Sequence, residues 1–307
     1  MANNPAPIIA RLTVAETTAT APDLLAAATG LSKTAVKEAM AKGAVWLQRS
    51  GSKERRIRKA AVALRAGDHL ALYYDPAILA LAPPPPLLLA AERYYSVWYK
   101  PAGLLSQGSR FGDHCSLLRH AEKLKEIGAA ARLLHRLDRE ARGLVLLAHG
   151  RSAAAALSRM FQTREIEKRY RAEIHGILGP VGEVMVCDAP LDGKTSRTVV
   201  TVQEICAERG TSRVDIVLET GRYHQIRRHL SSLGHPLVGD RRYGAGNDSA
   251  ELQLVAWSLA FICPFTGRQR RYSLDNDGSA NVLSCDPADR PGSLPRTRPR
   301  HLPTGSF

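Results

Sequence analysis

Two periodicities and one break predict the fold class. Apolar and polar residues alternate in runs such as 168–176 and 214–218, the pattern of a half-buried strand. Apolar residues recur at helical spacing over 152–162 and again at Ile226, Leu230 and Leu233. Between them and the N-terminal part, Ala82-Pro83-Pro84-Pro85-Pro86 forms a stiff polyproline segment. Helices and strands on both sides of a linker predict mixed α and β structure in two domains. The pattern is compatible with an α+β fold without singling out its architecture. At 307 residues the chain exceeds one typical domain and falls short of three.

Taken in order, residues 1–21 form an N-terminal segment whose first ~10 residues are expected to fray. Residues 22–75 read as a small unit. Pro22-Asp23 opens a helix that Gly30 ends, Ser32 caps a second helix, and Gly43 stops it. Short strands follow at Val45-Trp46-Leu47 and Leu70-Ala71-Leu72-Tyr73. Between residues 33 and 65, Lys33, Lys37, Lys42, Arg49, Lys53, Arg55, Arg56, Arg58, Lys59 and Arg65 stand against Glu38 and Glu54 alone, a compact basic face suited to phosphate. Residues 76–90 are the Pro-rich linker and 91–275 the main domain. Tyr95-Ser96-Val97-Trp98-Tyr99 is a strand ending at the turn Lys100-Pro101-Ala102-Gly103, and 116–128 a helix with Gly128 at its C-cap. The segment 152–162 is a core-packing helix, and the strand beginning at Lys168 points Tyr170, Ala172 and Ile174 inward. Strands at 197–204 and 214–218 precede a helix with Ile226, Leu230 and Leu233 on its buried face, and 252–261 reads as a last strand pair. Residues 276–307 turn polar and rich in Pro and Arg and are expected to be disordered.

The charge balance narrows the partners. The chain carries 43 Lys+Arg against 29 Asp+Glu, a net charge of +14, which favours a polyanion, with nucleic acid ahead of a membrane surface. The start lacks the features of a signal peptide and no apolar stretch approaches ~18 residues, so a cytoplasmic protein is expected. Cys115, Cys187, Cys206, Cys263 and Cys285 are odd in number and form no CxxC pair, so neither a disulfide framework nor a zinc site is expected. His224 and His229 would face directions roughly 140° apart on a helix, which excludes a shared metal.

The chemistry concentrates at Leu134-His135-Arg136-Leu137-Asp138-Arg139-Glu140, running through Gly143 into the aliphatic run Leu144-Val145-Leu146-Leu147-Ala148. That run reads as a strand buried on both faces, which puts Asp138 at a turn on the rim of a core. Neighbouring His135, Arg136 and Arg139 are basic, and cations keep a partly desolvated carboxylate ionised. A rigidly held, ionised carboxylate suits a nucleophile or a base; an ordinary surface ion pair with Arg136 or Arg139 is the plainer reading of the dipeptide alone.

The whole string HRLDREARGLVLL resembles the signature of the RluA family of RNA pseudouridine synthases, in which the aspartate is catalytic. Two further segments fit in order. KRY at residues 168–170 resembles the second motif, whose tyrosine stacks on the target base, and GRYHQIRRH with GHPLVGDRRYG resembles the third, whose arginine pairs with the aspartate. The resemblance, over roughly residues 93–267, implies catalytic roles for Asp138, Tyr170 and Arg227. It also implies an α+β fold with a mixed, mostly antiparallel curved sheet and a central cleft. The basic unit at 22–75 resembles the αL-type RNA-binding module shared by a ribosomal protein and many pseudouridine synthases, through Leu64-Arg65-Ala66-Gly67-Asp68 among other features. Departures stand at Ala141-Arg142, where a small hydroxyl residue usually precedes the glycine, at Tyr223, usually a hydroxyl or small polar residue, and at Val255, usually histidine.

The expectation is therefore an enzyme, a monomer, that isomerises uridines in RNA without metal or other cofactor. Ribosomal large-subunit RNA comes first as substrate and tRNA second. His135, Arg136, Arg139, Lys100, Arg228, Lys33, Lys37, Arg55 and Arg56 are expected to contact RNA, though Lys100 reads equally well as a plain surface lysine and Arg228 could meet phosphate or solvent. A non-catalytic RNA-binding protein would leave the three motifs unexplained. A metal-dependent nuclease or phosphatase would want several carboxylates near His135, where arginines stand instead.

Overall fold

The computed structural model of the chain describes residues 6–15, 19–124, 127, 131–244 and 250–275. It divides into two compact units, Met1–Pro84 with Leu105–Ala129, and Pro85–Leu104 with Ala130–Phe307.

In the first unit, β1 (Ile8–Thr13), β2 (Val45–Gln48), β3 (Arg55–Arg56) and β4 (His69–Tyr74) form an antiparallel sheet in the order β1-β4-β2-β3. Helices α1 (Ala21–Thr29), α2 (Lys33–Ala41), α3 (Pro76–Leu79) and α4 (Leu117–Lys123) accompany it. α1 starts where Thr20 and Asp23 cap one another reciprocally and stops at Gly30 in the left-handed conformation; α2 starts where Ser32 accepts the N–H of Ala35. Their apolar stripes, with Leu25, Val36 and Met40, close a core over Val45, Leu47, Leu70 and Leu72. Ile8, Ile9 and Ala10, expected to fray, instead pair with Tyr74, Tyr73 and Leu72. The edge of β4 offers them a full ladder, which outweighs the entropy of a chain end. α4 is shorter than the expected helix: Ser116 caps it and Leu124 already has extended backbone, while Gly128 lies outside the described residues.

The second unit is built on β5 (Leu87–Ala91), β6 (Tyr95–Lys100), β7 (Ala131–Leu133), β8 (Arg142–His149), β9 (Glu167–His175), β10 (Val184–Cys187), β11 (Thr198–Cys206), β12 (Thr211–Leu218), β13 (Leu254–Ile262) and β14 (Gln269–Ser273), with helices α5 (Arg151–Gln162) and α6 (Gln225–Ser232). The main path of the sheet runs β10-β11-β12-β9-β13-β8-β6-β5, with β14 on β13 and β7 on β8. Its pairs are antiparallel except β13 with β8. This is the mixed, mostly antiparallel α+β architecture expected.

β8 is buried on both faces, as its unbroken run of aliphatics requires. Ala153, Leu157 and Met160 of α5 pack into one cluster with Leu144, Leu146 and Val97. The 252–261 segment is one strand and not a pair, because its partner β14 lies beyond a turn closed by the Cys263 N–H to Arg268 carbonyl bond. β13 and β8 touch through Val255 opposite Arg142 and Ala256 opposite Gly143. A Cβ at Gly143 would lie 2.3 Å from the Ala256 carbonyl oxygen, so only glycine admits this approach. No helix of the described residues is long and apolar enough to cross a membrane.

Candidate active site

The loop between β7 and β8 is clamped from two sides. His135 Nε2 accepts the Leu146 N–H at 3.0 Å, which leaves the proton of a neutral ring on Nδ1. Its ring packs against Phe161 at 4.8 Å between centroids. Burial, assisted by the charge of Lys168, pushes His135 down to about 3. From the other side Lys100, fully buried, donates from Nζ to the carbonyls of Pro101 (3.0 Å), Leu104 (2.7 Å) and Arg139 (3.2 Å). Burial draws this ammonium down to about 7, against the pull of Asp138 and Glu140. The Gly103 N–H reaches the same Arg139 carbonyl at 2.8 Å. Leu137 points into the core. Asp138 is thus fixed by its neighbours and remains open to solvent, its side chain 22% exposed.

Arg227, in the first turn of α6, faces Asp138 with Nη1 at 3.4 Å from Oδ2. Its close partner is another carboxylate. Nε and Nη2 grip Asp240 at 2.8 and 2.7 Å, a planar two-point pair around a side chain that is 0% exposed. Asp240 Oδ1 also accepts the N–H groups of Arg242 and Tyr243, each at 3.0 Å. Burial by itself would raise Asp240, but the hydrogen bonds from Arg227 and from those amides hold it below the usual carboxylate range. Gly239 brings this turn in: a Cβ there would sit 2.2 Å from the Glu251 carbonyl oxygen. The electrostatic result is specific. Asp240 already balances the charge of Arg227, so Arg227 can aim Asp138 without neutralising it.

His224 stands on the other carboxylate oxygen, Nε2 at 3.6 Å from Oδ1. It is the N-cap of α6 and holds a left-handed backbone, φ 51°, uncommon for a residue with a Cβ. Gln225 secures the kink by accepting from the Thr220 hydroxyl and the Arg222 N–H while donating to the Arg197 carbonyl and the Thr198 hydroxyl. His224 Nδ1 meets the Tyr243 hydroxyl at 3.1 Å. Burial lowers the His224 pKa, with Asp138 opposing.

Tyr170 lies in β9 between Ile216 of β12 and Ala256 of β13, its side chain on the buried face as the alternation requires. Burial raises its hydroxyl pKa, and the charge of Asp138 adds to the effect, which places ring and carboxylate in one electrostatic environment. The structure therefore brings Arg227 and His224 to Asp138 and adds Asp240 and Tyr243 behind them, with Tyr170 on the buried face of β9. Among the described residues no group of three His, Cys, Asp or Glu side chains is placed to hold a metal ion.

The residues expected to contact RNA separate. Lys100 and His135 are turned inward and spent on backbone groups, so neither reaches a phosphate; the turns they hold had to be closed by buried donors and acceptors. Arg136 is exposed, and Arg139 is exposed and paired with Glu140 at 3.1 Å. Arg228 forms a two-point pair with Asp192 at 2.9 and 3.0 Å. In the first unit Lys37 and Arg55 are exposed, while Lys33 lies 2.6 Å from Asp23. Arg56 donates to the Gly43 carbonyl at 2.8 Å, covers the Trp46 ring at 4.2 Å and lies 3.5 Å from Asp113.

Residues 94–232 match the RNA pseudouridylate synthase family. The chain is 34% identical over 184 residues to the dual-specificity RNA pseudouridine synthase RluA of Vibrio parahaemolyticus, covering 54% of this chain and 73% of that protein. With the RluA of Salmonella typhimurium it shares 31% identity over 210 residues, 63% of this chain and 94% of that protein. The chain belongs to the RluA family of RNA pseudouridine synthases. Against the ribosomal large subunit pseudouridine synthase D of Zymomonas mobilis the chain is 34% identical over 210 residues, 58% of its own length, and spans 65% of that protein, just under two thirds. Human RNA Pseudouridylate Synthase Domain Containing 1 has the same fold, with a TM-score of 0.52 at 23% identity over 65% of this chain and 89% of that one. Asp138, Tyr170 and Arg227 fall inside the family match, whereas Asp240 lies beyond its end.

Proposed function

We propose that this synthase converts specific uridines of ribosomal large-subunit RNA to pseudouridine, with Asp138 as the catalytic carboxylate, Tyr170 as the surface that keeps the uracil stacked and Arg227 as the group that aims Asp138. The observation that carries this reading is the accessible Asp138 carboxylate, faced by Arg227 at 3.4 Å and His224 at 3.6 Å. The bond from C1′ to N1 breaks, the uracil turns in place, C1′ joins C5, and the C5 hydrogen leaves as a proton while N1 gains one. Asp138 serves this exchange either by attacking the sugar carbon or by taking a neighbouring proton. A uridine must leave its stack to reach such a site, so single-stranded or loop positions are the targets. The Zymomonas mobilis relative, named for the ribosomal large subunit, supports rRNA as first choice; tRNA is second. The first unit, with exposed Lys37 and Arg55, supplies phosphate contacts. The synthase acts as a monomer in the cytoplasm.

The test is tritium release from RNA labelled at C5 of uridine, run in the presence of chelator. Wild type releases tritium; Asp138→Asn, which keeps size and shape and removes the charge, folds, binds RNA and releases none. Release by Asp138→Asn would remove the carboxylate from the mechanism, and no release by wild type on any cellular RNA would overturn the rRNA and tRNA assignments alike.

A further inference from the structure

The ring beside His224 has no part in the reaction above. Successive side chains of an extended chain point to opposite sides, but the left-handed backbone at His224 folds Tyr223 back onto it. The two rings lie parallel within 21°, centroids 3.7 Å apart. His224 is then fully engaged, with Tyr223 on its face, Tyr243 against its edge, Nδ1 on the Tyr243 hydroxyl and Nε2 toward Asp138. Tyr223 is not. Arg242 holds its hydroxyl at 3.4 Å, one face is on His224, and 47% of the residue still meets solvent. The Arg242 guanidinium lies 5.8 Å from the centre of the Tyr223 ring, and the neighbouring residues Arg222 and Arg241 are exposed.

We propose that Tyr223 is a stacking platform for the nucleobase next to the target uridine. The inference rests on the functional reading above, because the sugar being processed must sit at Asp138. From there the exposed face of Tyr223 is one stacked ring further out, past His224, where the next nucleotide of a splayed strand passes. An aromatic face accepts any base, and the neighbouring arginines suit the phosphate that links it to the target. The occupant is a base of the substrate strand: an aromatic ring held on one face, bonded at its hydroxyl edge and flanked by cations matches a nucleotide and offers little to an apolar protein surface.

The probe is a fluorescein-labelled RNA hairpin with a seven-nucleotide loop containing one central uridine, its loop neighbours made abasic one at a time, with binding read by anisotropy. For wild type, one abasic position weakens binding roughly 5- to 150-fold, the range for loss of one aromatic stack. Tyr223→Ala weakens binding of the intact hairpin by a similar factor, and the abasic substitution then costs nothing more. Tyr223→Phe, which keeps the ring, binds as wild type does. Equal sensitivity of wild type and Tyr223→Ala to every abasic position would overturn the platform and leave Tyr223 as a support for His224. Tritium release from total RNA by wild type, measured alongside, separates failure of the platform from failure of the proposed reaction.

Discussion

Asp240 offers the sharpest test of how the site is held. Asp240→Asn keeps the shape of the side chain and one acceptor oxygen, yet replaces the other oxygen with an amide that faces an Arg227 N–H donor. At least one of the two bonds at 2.7 and 2.8 Å is lost. A hydrogen bond to a charged group contributes about 1.5–3 kcal/mol, and breaking a buried pair costs about 3–5 kcal/mol. Because Arg227 keeps Asp138 as a second partner, a stability loss of about 3 kcal/mol is expected. The freed guanidinium then swings toward Asp138 and neutralises the carboxylate it had only oriented. A loss of about 2 kcal/mol in transition-state stabilisation is roughly 30-fold in turnover. It should appear in kcat with little change in KM for RNA, measured by tritium release at a temperature where the variant is folded by calorimetry. A double-mutant cycle decides the mechanism. If Asp240 acts through Arg227, adding Asp240→Asn to Arg227→Lys removes no further activity. Fully additive losses, or turnover near wild type in Asp240→Asn, would refute the argument.

Two further outcomes follow from the clamps on the loop before β8. Lys100→Met takes the ammonium donor from the buried carbonyls of Pro101 and Leu104 and leaves that of Arg139 with the Gly103 N–H, so it should lower stability by about 3 kcal/mol while RNA affinity of the folded protein stays as in wild type; weaker RNA binding at unchanged melting temperature would restore Lys100 as a phosphate contact. His135, pushed from its ordinary 6.5 down to about 3, stays neutral in the fold while the unfolded chain takes up a proton. The unfolded state therefore binds more protons between those limits, and stability falls as pH drops from about 6.5 to 3, by up to about 1.4 kcal/mol per pH unit from this one group. His135→Gln should flatten the decline of urea midpoints across that window, and an unchanged slope would place the acid sensitivity elsewhere.

What could be read in advance was local. The alternation at residues 168–176 places Tyr170 inward without knowledge of its neighbours, and the stripe Ile226, Leu230, Leu233 sets the face of α6. Asp138 stood out because the string that marks it, His135-Arg136-Leu137-Asp138-Arg139, is contiguous in sequence, although the side chains that face it, Arg227 and His224, are far along the chain. Asp240 did not, since its partner lies thirteen residues earlier and its burial depends on Glu251 approaching Gly239. Lys100 misled for the opposite reason. Its formal charge suggests a surface, but two carbonyls of its own turn and one from the loop before β8 create an interior place for an ammonium. The spacing argument for His224 and His229 placed both on a helix, whereas His224 is the left-handed N-cap of α6; its kinked backbone and its place beside Asp138 emerge only when α6 meets the loop before β8.

β13 sits between β9 and β8, the position that joins β10-β11-β12-β9 to β8-β6-β5. Asp138 precedes β8 on one side of that seam; Tyr170, Arg227 and Asp240 belong to the other. During translation, a nascent chain that already displays all four of these residues has not yet delivered the strand that brings them together. These four side chains can take up their mutual arrangement only once Leu254–Ile262 has emerged and paired with both neighbours, so the site assembles late in the order in which its parts are made.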